Sequence, residues 1–158
     1  MELKDKLTEK AVWTLTKFAS DEEVAKDNPF EEVKIFGNIL VNTGINNMLL
    51  LLIGGAGTSY SAPYLGVGDD ATAENASQTD LIGAGKVRVA MNGGYPTSGT
   101  QTVVFQSDFT GLVANIHWQE FGAFTAAAAG IMLDRKVSDQ GTKTSGQTWR
   151  LTLTITIS

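Results

Sequence analysis

The clearest strand pattern lies at the end of the chain, in Trp149-Arg-Leu-Thr-Leu-Thr-Ile-Thr-Ile157. Large apolar residues alternate there with threonine and arginine, and a period of two residues places each set on one face of a strand. Threonine and isoleucine also favour extended backbone because they are branched at Cβ. The stretch predicts a long strand whose core-facing residues are Trp149, Leu151, Leu153, Ile155 and Ile157.

Five further strand patterns precede this one. They cover residues 63–68, 86–91, 102–109, 115–124 and 131–137, and segments rich in glycine, proline and asparagine separate several of them. Six closely spaced strands that follow a single helix are typical of an antiparallel β-sandwich or a jelly-roll-like barrel. The chain is therefore predicted to be mainly β.

One helix is predicted ahead of these strands, over about residues 43–53. Asn42 or Thr43 is a suitable N-cap, and two glycines follow the last apolar residue, where a helix commonly stops. The apolar residues that share one helical face are Ile45, Met48, Leu49 and Leu52. Because apolar residues also occupy much of the remaining circumference, we expect this helix to be buried against a sheet.

Charge is concentrated at the beginning of the chain. Residues 1–34 contain nine acidic residues and six lysines, whereas the other 124 residues contain only 14 charged residues. Residues 11–18 and 32–36 both alternate and are expected to pair as a hairpin, with a short helix capped by Ser20 between them. We therefore predict a charged N-terminal arm over 1–36 and a helix-plus-β body over 37–158.

The arm has three aromatic residues that are candidates for contacts with other proteins. These interface candidates are Trp13, Phe18 and Phe30. An alternative for Trp13 is a place in the core of the body. If the arm is separate, a chain lacking residues 1–34 should keep a folded body and lose its binding to a particle.

The composition excludes several kinds of site. There is no cysteine and only one histidine, so thiolate metal sites and cysteine nucleophiles are ruled out. The net charge of −5 gives no electrostatic reason to bind nucleic acid, and the longest apolar run has six residues, far short of a membrane span. His117 and Glu120 would point to opposite faces of a strand, so they do not suggest a catalytic pair. We expect no enzyme activity and no cofactor.

One loop is rich in carboxylates. Asp69, Asp70, Glu74 and Asp80 could supply oxygen ligands to a hard cation such as Ca²⁺, although their spacing is not that of an EF-hand. The alternative is a solvated loop whose aspartates form turns. We expect no metal site, with these four residues as the calcium candidates if one exists.

Several segments, taken in order, resemble small virion structural proteins of tailed bacteriophages. They begin with Gly37-Asn-Ile-Leu-Val-Asn-Thr-Gly-Ile-Asn-Asn-Met-Leu49 and with residues 64–81, which start Tyr64-Leu-Gly-Val-Gly-Asp-Asp70. They continue with Trp118-Gln-Glu-Phe-Gly-Ala-Phe124, Gly130-Ile-Met-Leu-Asp-Arg-Lys-Val137 and residues 143–155. The resemblance spans about residues 11–157.

The resemblance implies a non-enzymatic capsid decoration protein, or cementing protein, with no catalytic residues to assign. Its partners would be the major capsid protein or other virion proteins, together with further copies of itself. Symmetric assemblies reuse one surface patch, and we expect a homo-oligomer, most simply a trimer at local threefold positions. Such a protein would be synthesised in the host cytoplasm and end in the virion.

Two other functions are open at this stage. The first is a tail, neck or baseplate component, which copy number per particle would distinguish from a decoration protein. The second is a carbohydrate- or receptor-binding module, in which Trp118, Tyr95 and Tyr64 would offer stacking faces and the acidic loop a calcium site.

Overall fold

The computed structural model describes residues 8–158, and the first seven residues of the predicted arm lie outside that range. Within the described residues, ten strands and two helices follow one another. The helices are α1 (Asp21–Ala25) and α2 (Asn42–Leu52). The strands are β1 (Glu9–Phe18), β2 (Glu31–Phe36), β3 (Ile39–Leu40), β4 (Tyr64–Gly68), β5 (Val87–Ala90), β6 (Thr97–Gly99), β7 (Thr102–Phe109), β8 (Glu120–Phe124), β9 (Met132–Val137) and β10 (Thr148–Ile157).

The strands form two antiparallel sheets of five strands each. The first sheet has the order β2-β1-β10-β7-β6, and the second has the order β3-β9-β8-β4-β5. One apolar core joins them, because Trp13 and Leu151 of the first sheet belong to the same buried cluster as Leu65 and Phe121 of the second. The prediction of a mainly β, sandwich-like fold is confirmed.

The last strand has the predicted alternation up to Ile155, whereas Ile157, which was also predicted to face the core, is 38% exposed. Trp149, Leu151, Leu153 and Ile155 of β10 are at most 6% exposed, whereas the threonines between them are partly exposed on the outer face. Aromatic rings fill the core beneath this strand, and the Trp118 ring meets the Trp149 ring edge-on at a centroid distance of 4.9 Å. Edge-on packing of this kind adds to the stabilisation from burial alone.

The predicted division into an arm and a body is wrong for residues 9–36. Strand β1 lies inside the first sheet between β2 and β10, and it pairs with β10 along its whole length, with Trp13 opposite Leu153. The hairpin between β1 and β2 is present, as is the short helix capped by Ser20. The pairing of β1 with the final strand makes this hairpin part of the sandwich.

Helix α2 forms over nearly the predicted residues but is not buried as expected. It packs against β9 through Gly44, where an added Cβ would lie 2.5 Å from the Leu133 carbonyl oxygen. The Asn47 side chain, also buried, accepts a hydrogen bond from the Thr58 N–H and donates one to the Thr58 carbonyl. A small residue and an amide therefore form the inner face, and most of the leucines face outward. No helix within residues 8–158 is long and apolar enough to cross a membrane.

Candidate assembly surface

The outward side of α2 carries a group of exposed aliphatic side chains. Leu52 and Ile53 are 80% and 77% exposed, and Leu49 is 55% exposed. We call this group the α2 surface, and its members are Ile45, Leu49, Leu50, Leu52 and Ile53. Single exposed apolar residues are ordinary on protein surfaces, whereas contiguous apolar groups are more typical of interaction sites.

The α2 surface lies within a long uncharged part of the chain. No Asp, Glu, Lys or Arg occurs from Ile35 to Gly68. The helix therefore has no acidic residue in its first turn and no basic residue in its last turn. Because no charged side chain of the helix itself borders these leucines, the surface is suited to contact with another apolar surface.

The helix that carries this surface is fixed at its N-terminal end and at its middle. The Val41 N–H donates to the Leu133 carbonyl, and the Asn42 N–H donates to the Ala76 carbonyl. The Asn47 bonds to Thr58 fold the following segment back onto the helix. These contacts present the α2 surface on a rigid support, which lowers the entropy lost when a partner binds.

No protein-family model, curated protein or solved structure matches the chain.

The three aromatic interface candidates are separated by the fold. Trp13 and Phe18 are fully buried in the single chain, so their prediction as exposed contact residues is wrong. Trp13 takes the core position that was its alternative, with its ring centroid 5.8 Å from that of Phe121. Phe30 is 54% exposed beside the edge strand β2, and Phe36 at the end of that strand is 64% exposed. Phe30 is the candidate that still has an accessible ring.

The four calcium candidates are not collected around a common point. Within residues 8–158 there is no group of three or more His, Asp or Glu side chains that could hold a metal ion. Each of the four carboxylates already has a protein donor. Asp69 accepts from the Gly85 N–H, Asp70 from the Thr72 N–H, Glu74 from the Val137 N–H, and Asp80 from Lys86 and Arg88. Although partial burial raises the pKa of Asp80, these two cations hold it below its ordinary value.

The carbohydrate hypothesis loses its central aromatic residue. Trp118 is fully buried, its Nε1–H donates to the Ala114 carbonyl, and its ring packs edge-on against Phe109. It therefore has no face available for stacking on a sugar. Tyr64 and Tyr95 do border one shallow depression, but the structure places Trp118 in the core instead.

His117 and Glu120 have separate partners. The His117 ring hydrogen-bonds to Asp139, with Nε2 lying 2.7 Å from Oδ1. Glu120 is fully buried and pairs with Arg135, whose Nη2 lies 2.7 Å from Oε2. The buried ion pair was not foreseen from the sequence. It holds the acidic loop in place, because Glu120 also accepts hydrogen bonds from the Ile82 and Gly83 N–H groups.

A second unforeseen feature is a buried carboxyl that forms no ion pair within residues 8–158. Asp134 on β9 is fully buried, and its Oδ2 accepts a hydrogen bond of 2.6 Å from Asn38. Burial raises the pKa of Asp134 to about 7, despite the opposing bond from Asn38, and the negative charge of Glu9 adds to the rise. The folded chain therefore favours the protonated form of Asp134 more than the unfolded chain does.

This raised pKa predicts a pH dependence of stability. The carboxyl binds its proton more tightly in the folded chain than in the unfolded chain, so its contribution should decrease as pH rises from about 4 to about 7. We expect Asp134→Asn to abolish this contribution. The free energy of unfolding of the mutant should then rise relative to that of the wild type by at most about 1.4 kcal/mol per pH unit in that window. Urea unfolding at several pH values would measure it. If the free energies of unfolding of mutant and wild type differ by the same amount at every pH, the prediction is contradicted.

Proposed function

We propose that the protein is a non-enzymatic structural component of a tailed-bacteriophage virion, most specifically a capsid decoration protein. In this role it binds the major capsid protein and neighbouring copies of itself, and its place is the virion after synthesis in the host cytoplasm. Two lines support the proposal. One is the ordered resemblance of residues 11–157 to small virion proteins, and the other is the α2 surface.

The α2 surface is the observation that carries the proposal. Fully burying a leucine or isoleucine side chain contributes about 1.5–3 kcal/mol, so several such side chains supply a substantial driving force for association. Part of that is offset by the loss of translational and rotational freedom. An uncharged apolar centre is also what the core of a protein interface contains. The surface supports assembly, with no requirement for chemistry at any residue.

Copies of the same chain are suitable partners for this surface. Because the α2 surface has no charge, the same surface on a second copy meets it without burying an unpaired ion. A trimer would bring three α2 helices together around one axis, which is the arrangement expected at local threefold positions of a shell. The remaining exposed residues of each subunit would then be free to contact the shell.

The first test is a charge placed within the α2 surface. We expect Leu52→Glu to weaken self-association more than tenfold, because a glutamate would be buried without a partner in the interface centre. Sedimentation or light scattering across a concentration series would measure the mass relative to the 16.8 kDa chain. Since Leu52 is 80% exposed, the substitution should leave the circular dichroism spectrum and the unfolding transition unchanged.

Leu112→Glu provides the matched control. Leu112 is 87% exposed but lies in the turn after β7, away from α2, and it receives the same substitution. We expect this variant to associate like the wild type. If Leu52→Glu and Leu112→Glu have equal effects, or if the wild type remains a monomer and does not bind particles, the assembly role of the α2 surface is wrong.

The place of the protein in the particle requires a direct view. An electron-microscopy map of the intact virion should show many copies spread over the outer shell. A small ring of copies at the tail or neck would instead assign the protein to that part of the particle. Either location would leave the α2 experiment valid, because that experiment measures association in solution.

A further inference from the structure

A separate apolar cavity lies beneath α2, between the helix and the ends of both sheets. It has a volume of about 400 Å³, within the usual range of about 300–1,000 Å³ for small-ligand sites. Its wall is formed by α2, β3, β7, β9 and β10. The apolar residues of that wall are Leu40, Met48, Leu51, Val103, Phe105, Leu133, Ile155 and Ile157. These side chains suit the aliphatic part of a bound group.

Four polar residues interrupt the apolar wall, namely Glu9, Ser59, Tyr60 and Ser61. Glu9, at the start of β1, and Tyr60, in the segment after α2, both line the cavity. The Glu9 Oε1 atom and the Tyr60 hydroxyl are buried and have no hydrogen-bond partner within residues 8–158. Buried polar groups are seldom left without a partner, and each such atom costs free energy. Their presence in the wall indicates that a ligand supplies the missing hydrogen bonds.

A third unpartnered atom belongs to Asp134, which pairs in register with Leu40 of the wall but does not itself line the cavity. Asp134 Oδ1 is buried without a partner within residues 8–158, while Oδ2 accepts from Asn38. Burial is the main cause of the raised pKa of both Asp134 and Tyr60, and the charge of Glu9 adds to the rise at Asp134. None of the ion pairs formed within residues 8–158 includes Glu9 or Asp134.

The two unpartnered atoms in the cavity wall, on Glu9 and Tyr60, have one chemical property in common. Carboxylate oxygens accept hydrogen bonds, and a tyrosine hydroxyl oxygen can accept one as well. A primary ammonium group has three N–H donors and no acceptor, and its positive charge complements the Glu9 carboxylate in the cavity wall. A carboxylate ligand would be repelled by Glu9, and a neutral alcohol would have only one donor.

We propose that this cavity binds a primary ammonium group carried on an aliphatic chain. The aliphatic chain lies against the wall formed by α2 and the two sheets, and the ammonium group donates to Glu9 and Tyr60. The same chemistry has two possible sources, a free alkylamine or the lysine side chain of another protein. The proposal does not depend on the α2 surface, which lies on the opposite side of the helix.

The test is a titration of the full-length protein with n-hexylamine. We expect saturable binding by calorimetry or by chemical-shift changes at the cavity residues, and at least tenfold weaker binding of n-hexanol and hexanoate. Glu9→Gln should weaken hexylamine binding at least tenfold. Glu22→Gln on α1 is the matched control, because Glu22 is exposed and distant from the cavity lining, and it should bind hexylamine like the wild type.

The possible results separate clearly. Equal binding of hexylamine and hexanol would overturn the recognition of an ammonium group, as would unchanged hexylamine binding by a folded Glu9→Gln protein. No binding of hexylamine by the wild type would overturn the site itself. Tyr60→Phe provides a second variant, with an expected loss of affinity smaller than that of Glu9→Gln.

A further titration distinguishes the two sources. Nα-acetyl-lysine amide carries the same ammonium group on a lysine side chain. Competition between this compound and hexylamine would support a lysine from a partner protein as the occupant. If hexylamine binds but the lysine derivative does not compete, the occupant would be a free alkylamine. The cavity would then exclude the backbone groups of the lysine derivative.

Discussion

A chain that lacks residues 1–34 should fail to fold. The deletion removes all of β1 and most of β2, and β1 lies between β2 and β10 in the first sheet. Strand β10 would become an edge strand and would expose the backbone groups that now pair with β1. The deleted segment also supplies Trp13, Leu15 and Phe18, which are fully buried.

The expected loss is large compared with the stability of an ordinary domain. Each of these three side chains contributes about 1.5–3 kcal/mol through burial, before the backbone pairing of β1 is counted. Domains of this size are stable by only about 5–15 kcal/mol in total. The truncated chain should therefore show no cooperative thermal transition and no dispersed amide spectrum.

Two further variants test whether the loss of folding comes from removing β1. Deletion of residues 1–7 alone removes no residue of β1, so the cooperative transition should remain. Trp13→Ala should destabilise the full chain by about 3–5 kcal/mol, the usual cost of removing a large buried aromatic residue. A soluble, cooperatively folding 35–158 fragment would restore the division into an arm and a body that the charge distribution suggested.

Local periodicity was sufficient to locate most of the secondary structure. The alternation in β10 and the capping pattern at Ser20 both describe interactions between residues close in sequence, and both were predicted correctly. The pairing of β1 with β10 joins opposite ends of the chain and has no local signal. The high charge of residues 1–34 reflected the exposed α1 and the edge strand β2, and it misled the assignment of domains.

The burial of α2 was predicted wrongly for a different reason. Hydrophobicity favours an inward face of leucines, but the helix can approach β9 closely only where it has no side chain. Gly44 provides that position and Asn47 adds a polar anchor beside it, so the leucines remain outside. Two residues that look unsuited to a core therefore decided the orientation, and they left exposed the surface on which the proposed function depends.

The buried ion pair could have been suspected from the sequence but not assigned. Glu120 and Arg135 are each a charged residue within a strand that is otherwise nearly all buried, which suggests that each needs a partner. Their pairing depends on the neighbouring positions of β8 and β9 in the second sheet. The sequence instead suggested a role for the carboxylates of the loop, each of which accepts a hydrogen bond from another part of the chain.

Arg135→Met should be among the most destabilising single substitutions. The Arg135 Nε and Nη2 atoms donate to Glu120 Oε2 at 2.9 and 2.7 Å, and Nη1 donates to the Thr72 carbonyl and to Gln78. Both members of the pair are completely buried. Methionine would fill part of the space but leave the Glu120 carboxylate without a cation, and removing one member of a buried pair typically costs about 3–5 kcal/mol.

Urea unfolding would measure this loss, with Lys86→Met as the matched control. Lys86 forms an ion pair with Asp80 in which the two side chains are 40% and 39% exposed, so its loss should cost no more than about 1 kcal/mol. The double variant Glu120→Leu with Arg135→Met should be more stable than Arg135→Met alone, because no uncompensated charge remains in the core. Equal losses for Arg135→Met and Lys86→Met would contradict this account.

Hydrogen exchange should also increase at Ile82 and Gly83 in Arg135→Met, since their N–H groups bond to the carboxylate that Arg135 positions.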